Sequence, residues 1–379
     1  MKIVHTGDWH IGKVLLGKQR LEEFAAILQE IKNYLIDNQI DIIIVAGDIF
    51  DTGMPSAEAE KLVYDFFHDI SQYKITSIVI AGNHDSDARF EALSNLMKLA
   101  NVTMRGFDYQ NTEPTKVRIE KNGEIVDIVL LPFISEKHFL QSSDLKTEHP
   151  QDLYSIGMGK ILQDIANNFD SNAVNIVVSH ILIHGAKSSG SEKRLYLGQN
   201  YALHPEQIPN NIDYFALGHI HYEQKMDAPC PTYYAGSCLQ LDFGEADTPK
   251  GFLLLDTKQE KPFVPQFIEL TSGKKLIALQ GTWDDLQEKV QNNTIDIENN
   301  YVAIEVLNNT TILPHQIQET FPNALKIVSK HPKENIEIKT QNAEWIPELF
   351  KKYYHAQAKK DILEQVIEEF NHFYTLCSK

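Results

Sequence analysis

Residues 41–51 read DIIIVAGDIFD. Five apolar residues in a row, 42–46, suit a strand covered on both faces, and the Gly-Asp that follows marks its end. The pattern recurs. Residues 2–6, 76–81, 127–131, 175–179 and 213–217 are short runs rich in Ile, Val and Leu. Amphipathic stretches lie between them. In residues 21–35, Leu21, Phe24, Ile27, Leu28, Ile31 and Leu35 recur at steps of three and four, the helical period, and residues 57–70, 89–99 and 152–169 behave alike. Buried strands separated by helices predict a layered α/β domain. Residues 232–235, 252–256 and 266–270 follow with no long helix between them, so part of the sheet system is expected to be antiparallel.

Near residues 257–265 the stretch TKQEKPFVP, polar and with two prolines, reads as a turn or linker. A smaller unit follows, with strands expected at 275–279, 301–307, 326–329 and 336–339 and helices at 283–290 and 315–321. From Ala343 the chain reads as helical, with apolar clusters at Leu349, Phe350, Tyr353 and at Ile362, Leu363, Val366, Ile367, Phe370, Phe373. The expected division is therefore 1–271, 272–340 and 341–379.

The composition is that of a globular protein: 379 residues, 42% hydrophobic and 23% charged. No apolar run approaches the roughly 20 residues of a membrane span. The opening MKIVHTGDWH has no apolar stretch of the kind an export signal needs. Cys230, Cys238 and Cys377 form no C-x-x-C pair, so free thiols in a cytoplasmic protein are expected. The net charge of −17 argues, taken alone, against a surface that holds nucleic acid and toward a metabolic enzyme.

Five segments each sit directly after a predicted buried strand, where open α/β sheets place their sites. They are Gly7-Asp8-Trp9-His10, Gly47-Asp48-Ile49-Phe50-Asp51, Gly82-Asn83-His84-Asp85, Ser179-His180 and Gly218-His219-Ile220-His221. Singly, an Asp after a strand is a turn former or helix cap, and a His is a hydrogen-bonded structural residue. Jointly they offer two carboxylates (Asp8, Asp48), one amide (Asn83) and four imidazoles (His10, His180, His219, His221). That mixture, without thiolate, suits cations such as Mn(II), Fe(II) or Zn(II). Asp8/His10 and His219/His221 are spaced i, i+2, which in extended chain puts both side chains on one face. Seven ligands are too many for one ion and suit two that share a carboxylate. A two-metal site is the usual device for phosphoester hydrolysis. His84, next to a ligand but facing the other way on an extended chain, is the candidate acid for the leaving group.

The order Asp-x-His, Gly-Asp-x-x-Asp, Gly-Asn-His-Asp, Ser-His, Gly-His-x-His resembles the calcineurin-like metallophosphoesterase superfamily. The opening MKIVHTGDWHIGK, the stretch AGDIFDTGMPS and GHIH followed by YYAGS resemble, within it, the nuclease subunits of bacterial SbcCD complexes. The resemblance covers essentially the whole chain, strongly to about residue 270 and more weakly in WIPELFKKYY. It implies a four-layer sandwich of two mixed sheets flanked by helices, a small α+β capping domain and a C-terminal helical tail. It also implies that Asp8, His10, Asp48 and His221 hold one ion and that Asp48, Asn83, His180 and His219 hold the other. Asp48 then bridges, and His84 is the catalytic non-ligand. The implied ions are Mn(II), though the ligand list equally permits Fe(II) or Zn(II), and Mg(II) stays open. Asp51 takes a place where archaeal and eukaryotic relatives often carry a second His. Asp85 is read as orienting a ligand.

The implied activity is a DNA nuclease, exonucleolytic on duplex ends and endonucleolytic on hairpins, blocked ends or single strands, serving repair, replication and recombination. The implied partner is the ATPase SbcC, bound through the C-terminal helices. The implied assembly is a homodimer within a heterotetramer, joined through residues 57–70 and 89–99. The segment GAKSSG starts like a phosphate-binding loop, but Ser191-Glu192 stand where Gly-Lys is required, so nucleotide binding must come from the partner. Lys187, Lys193 and Arg194, close after His180, are candidate phosphate contacts. Two other readings stand beside this one. The first is a small-molecule phosphoesterase on the same fold, such as a nucleotidase or cyclic-nucleotide phosphodiesterase. The second is a structural clamp, against which the complete ligand set argues. The acidic balance falls mainly on residues 1–270 (−14, against −3 for 271–379). Two divalent ions would add about +4 where a phosphate must sit.

Overall fold

The all-buried run of residues 42–46 is the second of four parallel strands in the first sheet. The computed structural model describes residues 1–108, 112–140, 152–190, 192, 202–292, 296–307, 314–330 and position 366. The chain divides into two compact units, Met1–Ser329 and Lys330–Lys379. The expected strand at 336–339 lies outside the described residues. So does the expected helical tail, except Val366, which is helical and exposed.

The first sheet contains β1 (Lys2–Thr6), β4 (Ile42–Ala46), β5 (Thr76–Ile80), β6 (Val102–Arg105), β13 (Gly251–Asp256) and β14 (Gln266–Glu269). Its order is β14-β13-β1-β4-β5-β6. Pairing is parallel from β1 to β6 and antiparallel at β13 and β14. The second sheet contains β7 (Thr115–Lys121), β8 (Glu124–Leu131), β9 (Val174–His180), β10 (Tyr214–Gly218), β11 (Gln224–Lys225) and β12 (Thr232–Tyr234). Its order is β11-β12-β10-β9-β8-β7, with antiparallel pairs only at its two edges. A short hairpin, β2 (Val14–Leu15) with β3 (Lys18–Gln19), follows the first motif.

The two sheets face one another. Ile3, Ile42, Ile44, Ile78 and Ile80 of one meet Val126, Ile128, Ile176, Val178 and Ala216 of the other, all buried. The outer face of the first sheet is covered by α1 (Leu21–Asp37), α2 (Ala57–Ser71) and α3 (Asp87–Met97). The outer face of the second is covered by α4 (Glu136–Leu140) and α5 (Leu153–Asn167). The result is the expected four-layer sandwich. In α1 the predicted stripe is the buried one: Phe24, Ile27, Leu28, Ile31 and Leu35. Each such side chain contributes on the order of 2 kcal/mol by leaving water.

Besides the two-residue strands β2, β3 and β11, two longer strands escaped the sequence reading. Lys-Val-Arg-Ile-Glu within β7 alternates exposed and half-buried positions, because only the face carrying Val117 and Ile119 packs against the core. Continuous apolar runs, the signal used, belong to strands covered on both. Strand β6 has four residues, alternately buried and half-buried. The antiparallel expectation holds for β13 and β14. Strand β12 instead runs parallel to β10, and the chain reaches it without a helix, by way of β11.

Beyond residue 271 lie β15 (Leu276–Gly281), β16 (Tyr301–Leu307) and β17 (Ala324–Lys330), with α6 (Trp283–Gln291) and α7 (Pro314–Thr320). They form a three-stranded sheet around their own cluster of Leu279, Leu286, Val302, Ile304, Val306 and Phe321. A Thr282–Asp285 capping box starts α6.

Candidate metal centre

All five motif segments sit at the C-terminal ends of β1, β4, β5, β9 and β10. The loops after β1 and β4 are zipped together. Asp8 N–H donates to the Gly47 carbonyl (3.0 Å), His10 N–H to that of Asp48 (3.0 Å) and Ile11 N–H to that of Ile49 (2.9 Å). Asp8, His10, Asp48 and His219 adopt left-handed backbone, with φ of 51°, 48°, 51° and 97°. Non-glycine residues pay about 1–3 kcal/mol for such conformations, which persist where the surroundings over-determine them. This corrects the extended-chain argument for Asp8 and His10. They converge because the turn is pinned to its neighbour, not because alternate residues of a strand share a face. Residues 83–85 are a bend, so His84 is not placed by strand alternation.

Gly82 and Gly218 let the loops close. A Cβ on Gly82 would run into the Asp48 carboxylate, and one on Gly218 into the Ala46 carbonyl.

The side chains gather in two overlapping sets. In one, Asn83 Oδ1 is 3.0 Å from His180 Nε2 and 3.0 Å from His219 Nδ1, and His180 Nε2 is 3.4 Å from Asp48 Oδ2. In the other, His10 Nε2 is 3.5 Å from the same Asp48 Oδ2. Asp8, His10 and His221 there bring ligand atoms within 4.8 Å of one another. Asp48 Oδ2 therefore lies at the junction. Asp8 is held from behind, accepting the His219 N–H on Oδ1 (2.9 Å) and Oδ2 (3.1 Å). His180 Nδ1–H donates to the Ala46 carbonyl (2.8 Å), which turns Nε2 toward Asp48.

A match to the family described as calcineurin-like phosphoesterase spans residues 1–223. The SbcD subunit of the SbcCD nuclease of Bacillus subtilis (strain 168) is 32% identical over 375 residues, covering 94% of this chain and 93% of the relative. The protein of the same name from Staphylococcus epidermidis (strain ATCC 12228 / FDA PCI 1200) is 31% identical over 366 residues, covering 93% of each. The chain belongs to the calcineurin-like phosphoesterases, in their SbcD branch.

As a calcineurin-like phosphoesterase the chain is a hydrolase of phosphoester bonds that works with divalent metal, and the donor set fits such ions. Metal–ligand bonds of about 2.0–2.2 Å put adjacent ligand atoms about 3–3.5 Å apart, the spacing seen around Asn83 Oδ1 and Asp48 Oδ2. Both ring nitrogens of His10 and the Asn83 Nδ2 are buried without a hydrogen-bond partner. Unpaired buried polar atoms of this kind cost about 1–3 kcal/mol each. At His10 a cation on Nε2 would remove that cost.

The electrostatics agree with this fit. Burial would raise the Asp48 carboxyl, but the charge and hydrogen bond of His180 hold it well below the usual carboxylate range. Burial would lower His180, but Asp48 outweighs it and lifts the imidazole to about 9. Burial pushes His10 down to about 4 and His219 to about 3. Burial, reduced by the pull of His180 and His221, raises Asp8. The His180 proton thus balances Asp48, and a divalent cation among these atoms supplies the same positive charge.

In this phosphoesterase His84 sits beside the two sets, its ring 4.7 Å from that of His10. Its N–H donates to Asp48 Oδ1 (2.8 Å), and its Nδ1–H to the Asp51 carbonyl (2.7 Å). The Asp51 carboxylate lies 3.5 Å from His10 Nδ1 and 3.1 Å from Lys13 Nζ. Asp85 accepts the N–H groups of Ile49 (3.2 Å), Phe50 (3.0 Å) and Gly82 (2.9 Å), tying together the loops that carry Asp48 and Asn83.

His5 is buried in β1, hydrogen-bonded to Tyr214 and to the Leu217 carbonyl, as its strand position implied. Lys187 is exposed, its N–H on Gln224, while Lys193 and Arg194 lie outside the described residues. Glu192, which breaks the phosphate-loop pattern, accepts the N–H groups of Ser189 and Gly190 and, at 3.3 Å, of His221. Sequence reasoning missed this contact and also Glu245, which meets His221 Nδ1 from 24 residues downstream. No spacing marks either one. Among the described residues no helix is long and apolar enough to cross a membrane.

Proposed function

We propose that this chain is a metal-dependent DNA nuclease that works with an SbcC-type ATPase, acting exonucleolytically on duplex ends and endonucleolytically on hairpins. The observation that carries this reading is the shared Asp48 oxygen, 3.5 Å from His10 and 3.4 Å from His180, in a chain matched over 94% of its length by a relative named as a nuclease subunit. Asp8, His10, Asp48 and His221 would hold one ion, and Asp48, Asn83, His180 and His219 the other. Two Mn(II) ions, when bound, would neutralise the phosphate and activate water.

The protein's own groups do the rest. With Nδ1–H given to the Asp51 carbonyl, His84 keeps Nε2 for the proton that the leaving oxygen requires. Asp51 orients the His84 ring through its carbonyl and sets its carboxylate 3.5 Å from His10 Nδ1, so one residue faces both rings. Asp85 fixes the backbone on which Asp48 and Asn83 stand.

Residues 272–340 would cap the site and help position DNA, and Lys187, Lys193 and Arg194 would meet its phosphates. With a net charge of −17, the isolated chain would hold DNA weakly. Affinity would come from the ions, these local cations and the partner. Leu96 and Leu99 are 61% and 86% exposed at and just after the end of α3, an apolar surface that suits the helix-mediated homodimer.

The helical tail, 341–379, would dock on the coiled coil of the ATPase. Removing the residues after Ala343 is expected to abolish capture of that ATPase in a pull-down. Mn(II)-dependent hydrolysis of a simple aryl phosphodiester should stay within about twofold. A truncated chain that still captures the ATPase would remove the tail from the account.

A further inference from the structure

One buried carboxylate outside the candidate ligands is aimed at the site. Glu245, fully buried, ends the short turn Phe243–Glu245. Its Oε1 accepts Nδ1–H from His221 at 2.9 Å. Its Oε2 takes Lys250 Nζ at 2.6 Å, the Leu241 N–H at 3.1 Å and the Ser237 hydroxyl at 3.3 Å. Lys250 in turn donates to the His221 carbonyl at 2.9 Å and to Ser237 Oγ at 2.8 Å. One buried ion pair thus grips His221 by both ring and backbone. The turn is itself anchored by Gln240. Its amide donates to the carbonyls of Glu245, Ala246 and Thr248, and its Oε1 accepts the N–H of Leu276, the first residue of β15.

We propose that Glu245 is the positioning residue for His221. A carboxylate only accepts, so the partner nitrogen must carry the proton. Glu245 therefore holds His221 as the Nδ1–H tautomer and leaves the lone pair on Nε2, the form a metal ligand needs. The inference rests on the reading of His221 as a ligand.

Glu245→Gln tests it. A glutamine has one oxygen for two groups of donors, and Lys250, Leu241 and Ser237 hold the stronger claim to it. The amide NH2 then faces His221 Nδ1, which must become an acceptor, and the ring proton moves to Nε2. The ¹⁵N shifts of His221 in the metal-free full-length chain, read at a pH alkaline enough that the ring is neutral, report that tautomer directly. Mn(II) titration calorimetry reports its consequence. The parent should show Nδ1–H and bind two ions. Glu245→Gln should show Nε2–H and bind one of the two about 10–100-fold more weakly.

If the lone Lys250 charge prevents folding, the paired change Glu245→Met with Lys250→Met removes both charges together and tests the same point. A folded variant with the parent's tautomer and both Mn(II) affinities unchanged overturns the proposal, even if its melting temperature falls, since a packing role alone would give that pattern. A parent that binds no Mn(II) at all overturns instead the metal reading of His221. The tautomer measurement needs no metal and still decides the role of Glu245.

Discussion

Asp48→Asn should eliminate binding of both ions, not one, and reduce hydrolysis at least about a thousand-fold. The change conserves shape, yet it removes the negative oxygen that lies 3.4 Å from His180 and 3.5 Å from His10. An amide oxygen carries too little charge to join two divalent cations. In the proposed assignment Asp48 alone is shared, and Asp8, whose ligand atom also lies within 4.8 Å of those of Asp48 and His180, serves only the first ion. His219→Ala or His10→Ala should therefore weaken one ion and spare much of the other. Metal content after dialysis against Mn(II) separates the cases. Retention of one tightly held ion by Asp48→Asn would mean that the carboxylate belongs to a single set.

His84→Ala should give the opposite signature, two ions bound as in the parent and DNA cleavage lower by about 10²–10⁴-fold. Its ring is within 4.7 Å of His10, but its Nδ1 is committed to the Asp51 carbonyl. A missing proton donor matters only where the leaving group needs a proton. On an aryl phosphodiester with a weakly basic leaving group the loss should shrink to a few-fold. Equal losses on both substrates would assign His84 to the metal sites, since its ligand atom also lies within 4.8 Å of those of His10 and Asp48.

The layered α/β fold was legible because its central strands are covered on both faces. A run such as Ile42–Ala46 has no polar residue to hide it. Edge strand β7 was not legible by that signal, since half of it faces water. The candidate ligands were legible because each follows a strand and because Asp, Asn and His recur in five such places. Their convergence had a different cause from the one the spacing implied. Asp8 and His10 meet through left-handed turns zipped to the neighbouring loop, which no two-residue period encodes. The groups that hold the ligands were mostly invisible. The Ala46 carbonyl that turns His180 has no side-chain signature, and Glu245 reaches His221 only through tertiary structure.

The most direct test is one set of assays on the purified chain with Mn(II), using duplex DNA, hairpin DNA and a nucleotide monoester, with and without an SbcC-type ATPase and ATP. The expected result is Mn(II)-dependent cleavage of DNA, with hairpin opening confined to the complete, ATP-supplied assembly and little turnover of the monoester. Rapid turnover of the monoester with DNA left intact in every condition would contradict the account and make the chain a small-molecule phosphoesterase.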